Sequence, residues 1–552
     1  MAGKLKIIPL GGLNEIGKNM TAYEFGDDIL IVDCGLGFPD DEMFGVDCVI
    51  PDFSYVVKNA AKVRAIAITH GHEDHIGGLP YLMRELKAPI YATRLTIGLI
   101  KGKLSEHGLL EKTKLMELDA GKSFTAGCFK VEFIHTNHSI SDSVAMAIKT
   151  PVGTLIHTGD FKIDPTPVTG EMIDLTRLGE LGKKGVLALL SDSTNVMVPG
   201  HCPSERRVGL RLDQLFNDWP QRIIVTTFAS NVDRIKQVID CAAKYGRKVA
   251  VTGRSMENNL RTAIELGYIT PPKGILMELP QIKKLPPDRV VIITTGSQGE
   301  PMSALYRMTF SGHRQLEIQA GDRVIISASA VPGNEKTVTR VINELYRLGA
   351  NVIYDKIDNI HVSGHADRED LKLMLALIKP KFFVPLHGEV RHLQTHAGLA
   401  KEMGLPDNHV VVAENGSVIE LTSRSIRLNG TVPSGAVLVD GTGLGDVGAA
   451  VLRDRRHLAT DGMLVVIVTI SSEDGALMAP PDIITRGFVY VKESEELMKE
   501  MKQAVSDIMY DCQQQHITDW ATIRSSIKSG LTACLNRKVK RVPMILPVIS
   551  EI

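Results

Sequence analysis

The sequence predicts an α/β protein: an αβ sandwich split by a parallel-sheet insert and followed by a small α+β unit. Three observations carry this expectation. Short β-type runs separated by Gly-rich turns dominate roughly the first 200 of the 552 residues. From about residue 206 the rhythm changes to strands alternating with helical stretches, the signature of a parallel sheet with helices on its faces. Beyond residue 451, strands accompany an amphipathic helix.

Taken in order, Lys4–Leu10, Thr21–Phe25, Ile29–Val32, Ala65–Thr69, Phe129–Ile134, Val144–Ile148 and Thr154–His157 read as strands, with Leu79–Glu85 and Ala92–Lys101 as helices. In the middle region Ile223–Thr227, Lys248–Thr252, Val290–Thr294 and Val324–Ala328 are strand-like, and Val232–Lys244 is helical. The apolar run Phe382–Leu386 leads into His387, and further strands follow to about residue 440. The Gly-rich stretch Pro433–Ala450 reads as a connection. In the last part Leu464–Ile470 and Phe488–Val491 are expected strands. Leu497, Met501, Val505 and Ile508 form the apolar stripe of a helix over Glu493–Cys512, suited to subunit contacts or to packing on its own unit.

Composition excludes several classes. With 44% hydrophobic and 23% charged residues the chain reads as globular. Apolar stretches such as Met463–Ile470 fall far short of the roughly 20 residues that span a bilayer. Seven scattered cysteines, none spaced as CxxC, argue against a disulfide framework and for a reducing, cytoplasmic setting. Net charge is −1, but residues 206–362 hold 22 Lys+Arg against 15 Asp+Glu, a local surplus suited to a polyanion. Ordinary surface variation accounts for the same surplus.

The decisive segment is Thr69-His70-Gly71-His72-Glu73-Asp74-His75, placed just after an apolar strand. Four desolvated polar side chains in six residues would be costly without partners, whereas imidazole and carboxylate are the ligands of hydrolytic zinc. Further candidate ligands sit just beyond other apolar strands: His138 after Phe133, Asp160 after Thr154–His157, and His387 after Phe382–Leu386. Strand parity disfavours His135 and His157.

With HxHxDH, His138, Asp160 and His387 in hand, the sequence resembles the metallo-β-lactamase superfamily. Ser191-Asp192-Ser193-Thr194-Asn195, the motif His361-Val362-Ser363-Gly364-His365 and Pro385-Leu386-His387-Gly388-Glu389 narrow the likeness to its β-CASP nucleases. Leu10–Asn19, Thr294–Leu305, Pro332–Lys336 and Pro543–Ile549 make it similar to bacterial members of the ribonuclease J family over nearly the whole chain. The resemblance implies an αββα sandwich over residues 1–205 and 363–440, a β-CASP insert over 206–362, a linker at 441–450 and a C-terminal α+β domain over 451–552. It implies one divalent ion on His70, His72 and His138, a second on Asp74, His75 and His387, and Asp160 bridging them. Zinc suits these ligands and manganese is compatible. Asp33 would orient ligands from behind. Ser141 stands where the pattern has proline.

The implied activity is metal-dependent hydrolysis of RNA, both 5′-to-3′ exonucleolytic and endonucleolytic, in messenger decay and ribosomal RNA maturation. Two cations would hold the phosphodiester and activate water. His365 is the nominated proton donor to the leaving oxygen, with Asp192 as its partner. His361, Val362, Ser363 and Gly364 would cradle the phosphate. Ser327 and Ser329 would bind a 5′-monophosphate, although turn chemistry accounts for the same residues. Gly45, Asp47 and Asp440 offer oxygens to a structural calcium, and equally read as turn residues. The basic cluster Arg537–Arg541 reads as charged surface. A homodimer or homotetramer and RNA-decay partners are further implications of the family. The rival readings are a DNA nuclease of the same fold, a small-molecule thioester hydrolase and a non-catalytic RNA-binding scaffold.

Overall fold

A computed structural model describes residues 3–40, 42–331, 333–441, 443–472, 475–488 and 495–552. They form two compact units, one of residues up to 38 and 49–437, the other of residues 39–48 and 438–552.

In the first unit two sheets lie face to face. One runs in the order Ile426–Thr431, Ser417–Leu421, Leu5–Gly11, Met20–Phe25, Asp28–Val32, Val63–Ala67, Ile90–Ala92, Leu115–Glu117. The other runs Phe382–Leu386, Ala188–Asp192, Gly153–His157, Val144–Thr150, Phe129–His135, Ser123–Ala126. The period-two alternation of strands decides which residues meet. Val144, Met146 and Ile148 enter the core between the sheets with Ile7, Tyr23, Leu30 and Phe133. Ala145 and Ala147 point the opposite way, against Leu178, Leu181, Leu371 and Met374 of helices Leu175–Lys184 and Arg368–Ile378. Helices on the outside and two sheets within give the expected αββα layering.

A five-stranded parallel sheet interrupts this sandwich in the order Lys248–Thr252, Val290–Thr294, Ile223–Thr226, Arg323–Ile326, Asn351–Tyr354. Its strands are nearly continuous Val/Ile runs because helices cover both faces. Ile224, Ile292, Val324, Val341 and Leu345 share its core.

In the second unit the central strand Met463–Ile470 buries every other residue, pairing antiparallel with Asp482–Arg486 and parallel with Met544–Glu551. Met501, Val505 and Met509 of helix Glu495–Gln514 pack there against Ile523, Ile527 and Leu531 of helix Trp520–Lys538. The apolar stripe therefore serves the core of its own unit. Residues 489–491 of the expected strand Phe488–Val491, the first two positions of the expected helix and Pro332 lie outside the described residues. The stretch expected to be a linker carries the short strand Gly443–Leu444 and the start of helix Ala449–Asp461. Among the described residues no helix is long and apolar enough to cross a membrane.

Candidate metal centre

His70, His138, Asp160 and His387 each sit one to three residues past the end of a strand, where the sheets hold the backbone and the chain is free to turn. Val63–Ala67 delivers His70; Phe129–His135 delivers His138; Gly153–His157 delivers Asp160; Phe382–Leu386 delivers His387. Parallel pairing of Asp192 with Leu386 sets Asp192 beside His387. The turn after His72 opens the short helix Glu73–Ile76, which swings Asp74 and His75 toward a second position. Gly35 permits this packing, because a Cβ there would lie 1.6 Å from the Asp74 carbonyl oxygen.

The side chains gather into two abutting groups. His70 Nε2 and His138 Nε2 each lie 3.1 Å from His72 Nδ1. In the second group His75 Nε2 is 3.2 Å from Asp160 Oδ2, and His387 Nε2 is 3.2 Å from Asp74 Oδ2. Asp160 Oδ2 also stands 3.8 Å from both His70 Nε2 and His138 Nε2, and 3.7 Å from His387 Nε2, which puts one carboxylate oxygen between the groups. Tetrahedral ligation at about 2.0–2.1 Å would separate ligand atoms by roughly 3.3 Å, so these spacings fit two cations.

Electrostatics agrees with that fit. Burial pushes His70 and His138 well below the ordinary histidine range and His72 to about 4, which keeps these rings neutral and their lone pairs available. Burial also opposes charge on His75 and His387, yet Asp160 and neighbouring carboxylates outweigh it, raising His75 well above the usual range and His387 to about 9. A field that draws protons onto imidazoles so deeply buried also draws a divalent cation. These residues could hold it.

A surrounding layer fixes the rings of His75, His138, His387 and His365. Asp33 takes up His75 Nδ1 at 2.8 Å and accepts both the amide and the hydroxyl of Thr69 at 2.8 Å. His138 Nδ1 donates to the Gly364 carbonyl at 2.6 Å, where any side chain on Gly364 would strike the His138 ring. Thr194 links His387 Nδ1, 2.6 Å away, to Asp192 Oδ1 at 2.8 Å. The other Asp192 oxygen meets His365 Nδ1 at 2.8 Å. Burial disfavours the charged His365 ring, but the Asp192 carboxylate overcomes it and raises the pKa above the ordinary value. His365 also packs 5.0 Å from the His138 ring and 5.4 Å from that of His387. Asp33→Ala should weaken metal retention about 10–100-fold, measured by competition against a chelator; unchanged retention would remove Asp33 from the site.

Sequence reasoning passed over Asn19, Thr69 and Thr194. Asn19 Nδ2 donates to Asp74 Oδ2 at 3.3 Å and lies 3.0 Å from His75 Nε2. Its only signal was its place in Leu10–Asn19.

Other expected residues fall elsewhere. His361 is half-buried, with a buried Nδ1 that has no hydrogen-bond partner, and Val362 is buried. The Ser363 carbonyl accepts a contact from the Cys202 thiol at 3.2 Å. Ser327 is corrected: it is buried, and its hydroxyl accepts from Arg234 and donates its one proton to the Ile360 carbonyl at 2.6 Å, so it has no proton left to offer a phosphate. Ser329 stays half-exposed, with its hydroxyl on Asp355. The residues expected to offer oxygens to calcium lie beside Arg455. Arg455 reaches Asp440 Oδ2 at 2.5 Å and the Phe44 carbonyl at 2.8 Å beside Gly45, and Asp47 Oδ2 accepts the Gly441 amide. His135 and His157 are structural, held by the Glu171 carbonyl and the Tyr23 hydroxyl.

Comparison with known proteins places this geometry in a family context. Residues 13–201 match the metallo-beta-lactamase superfamily and residues 220–345 the ribonuclease J beta-CASP domain. Residues 350–413 match the Zn-dependent metallo-hydrolase RNA specificity domain, and 450–552 the ribonuclease J C-terminal domain. The chain is 45% identical to Ribonuclease J 1 of Streptococcus pyogenes over 98% of its own length and 97% of the relative's. It is 42% identical to Ribonuclease J2 of Bacillus subtilis, covering 99% of each chain. It is 44% identical to Ribonuclease J of Thermus thermophilus, covering 99% of this chain and 95% of that one. A crystal structure of a protein of unknown function from Enterococcus faecalis shares the fold at a TM-score of 0.53 and 17% identity, covering 76% of this chain and all of the other.

Proposed function

The chain belongs to the ribonuclease J family, and from that premise we propose a metal-dependent ribonuclease that hydrolyses RNA to 3′-hydroxyl and 5′-phosphate ends, from the 5′ end and internally, in messenger decay and ribosomal RNA maturation. The observation that carries this reading is Asp160 Oδ2 standing within 3.8 Å of ligand nitrogens from both groups, with the Asp192–His365 pair alongside. Divalent metal suits the donor set. His70, His72 and His138 would hold one ion and Asp74, His75 and His387 the other, with Asp160 shared; zinc is the expected metal and manganese the alternative. When bound, the ions supply Lewis acidity toward the phosphate and the attacking water.

The protein's own groups do the rest. His365, oriented by Asp192 through Nδ1, keeps Nε2 free to pass a proton to the leaving 3′-oxygen. His361, Ser363 and the Gly364 backbone would form the phosphate cradle. Ser329 and neighbouring amides in the insert are the groups proposed to meet a 5′-monophosphate. Residues 206–362 would act as the RNA-facing insert between the two parts of the sandwich, 1–205 and 363–440, and 451–552 would support a homodimer or homotetramer in the cytoplasm.

The test is digestion of end-labelled RNA carrying a 5′-monophosphate, triphosphate or hydroxyl, with zinc or manganese added after chelation. Cleavage should vanish with the metal, return with it, and be fastest on the monophosphate. Equal rates on all three ends would remove the 5′-phosphate pocket. Faster cleavage of a matched DNA, or turnover of a thioester in place of RNA, would replace the reading as a whole.

A further inference from the structure

The loop that presents His138 is held by side chains from the parallel-sheet insert. After His138 the chain runs through Ser139, Ile140, Ser141 and Asp142 before entering strand Val144–Thr150. Asp142 adopts φ +63°, a left-handed conformation that aspartate tolerates better than most L residues and that its surroundings hold in place. The surroundings here are explicit. The Thr93 hydroxyl donates to the Asp142 carbonyl at 2.8 Å, and Asp142 Oδ2 accepts the Leu95 amide at 3.4 Å and the hydroxyl of Tyr268, which follows helix Arg254–Glu265.

A second hub lies beside it. Asp233, in the first turn of helix Val232–Lys244, accepts the Ser141 hydroxyl at 3.3 Å and the Thr169 hydroxyl on the same oxygen, Oδ1. Ser141 and Thr169 also meet each other at 3.2 Å. A proline at position 141 would carry no hydroxyl, so this tie is written into the chain by its serine. The loop between is stiff: Ile140 is buried, and the Ser143 hydroxyl returns to the Ile140 carbonyl at 3.0 Å. These contacts give a path by which either hub can bear on the loop that presents His138.

We propose that Asp233 and Tyr268 are positioning residues for the first cation site: acting through Ser141, Thr169 and Asp142, they fix the loop that presents His138, so the insert sets how tightly that site grips its ion. The inference rests on His138 being a metal ligand.

The experiment is a competition titration of metal-free, full-length protein with Co²⁺ against a chromophoric chelator, resolving the two loading steps. His138→Ala and His387→Ala assign the steps to the first and second sites. Asp233→Ala should weaken the first step about 10–100-fold, the size expected when the group orienting a ligand is lost, and leave the second unchanged. Asp233→Asn keeps a side-chain oxygen as acceptor and should restore it. Tyr268→Phe removes a single hydroxyl and should weaken the same step, which keeps the test available should Asp233→Ala not fold. Both steps weakening together would reveal a general loosening and overturn the proposal, as would no change in a folded Asp233→Ala or Tyr268→Phe protein. If His138→Ala leaves both steps intact, the ligand assignment itself fails, an outcome distinct from the others.

Discussion

Asp160→Asn is expected to lower RNA cleavage by about 10³–10⁴-fold and to reduce bound metal below two ions per chain. The size follows from what this carboxylate does. Its Oδ2 lies 3.2 Å from His75 Nε2, 3.7 Å from that of His387 and 3.8 Å from those of His70 and His138, so it stands between the two ligand groups, where the proposed ions would share it. Asparagine keeps the shape and removes the charge. Several kcal/mol of transition-state stabilisation come from a paired metal site, and each ~1.4 kcal/mol is a factor of about ten in rate. The measurement is kcat/KM on 5′-monophosphorylated RNA beside metal analysis of the same preparation. Retention of near-normal turnover with two ions would show that the sites do not depend on a shared carboxylate.

His365→Ala should cut turnover at least about 100-fold, the usual worth of general acid catalysis, while metal content stays normal. Two geometric facts separate this residue from its neighbours. Its Nδ1 is engaged by Asp192 at 2.8 Å, and its ring stacks beside His387 without entering either ligand group as described. The specific alternative is that His365 is itself a ligand, since Asp160, Asp192, His365 and His387 also bring their donor atoms within 4.8 Å of one another. Metal loss in His365→Ala would select that alternative. Substituting Asp192 would be a poorer test, because Asp192 also steadies His387 through Thr194 and would disturb proton donor and metal ligand together.

Much of this architecture could be read along the chain, for a physical reason. A ligand presented by a sheet follows directly on an apolar run, as His387 follows Phe382–Leu386, so both signals sit side by side in the sequence. The strand periodicity that sorts Met146 from Ala147 is equally local. What escaped notice depends on partners far away. Thr194 and Asn19 look like ordinary turn residues until His387 and Asp74 are folded against them. Ser327 looked available because nothing near it in sequence announces Arg234, 93 positions away, as the group that occupies its hydroxyl. The proximity of Arg455 to Gly45 and Asp440 is likewise visible only in the folded unit. Ser141 was visible as a departure from the family pattern, but its meaning appeared only with Asp233 beside it.

The most direct measurement on the central claim is anomalous scattering from crystals of the metal-loaded protein. Two peaks are expected about 3.5–4 Å apart, one within roughly 2.2 Å of His70, His72 and His138, the other equally close to Asp74, His75 and His387, with an Asp160 oxygen reaching both. A single ion, or a pair that leaves Asp160 bound to only one of them, would contradict it.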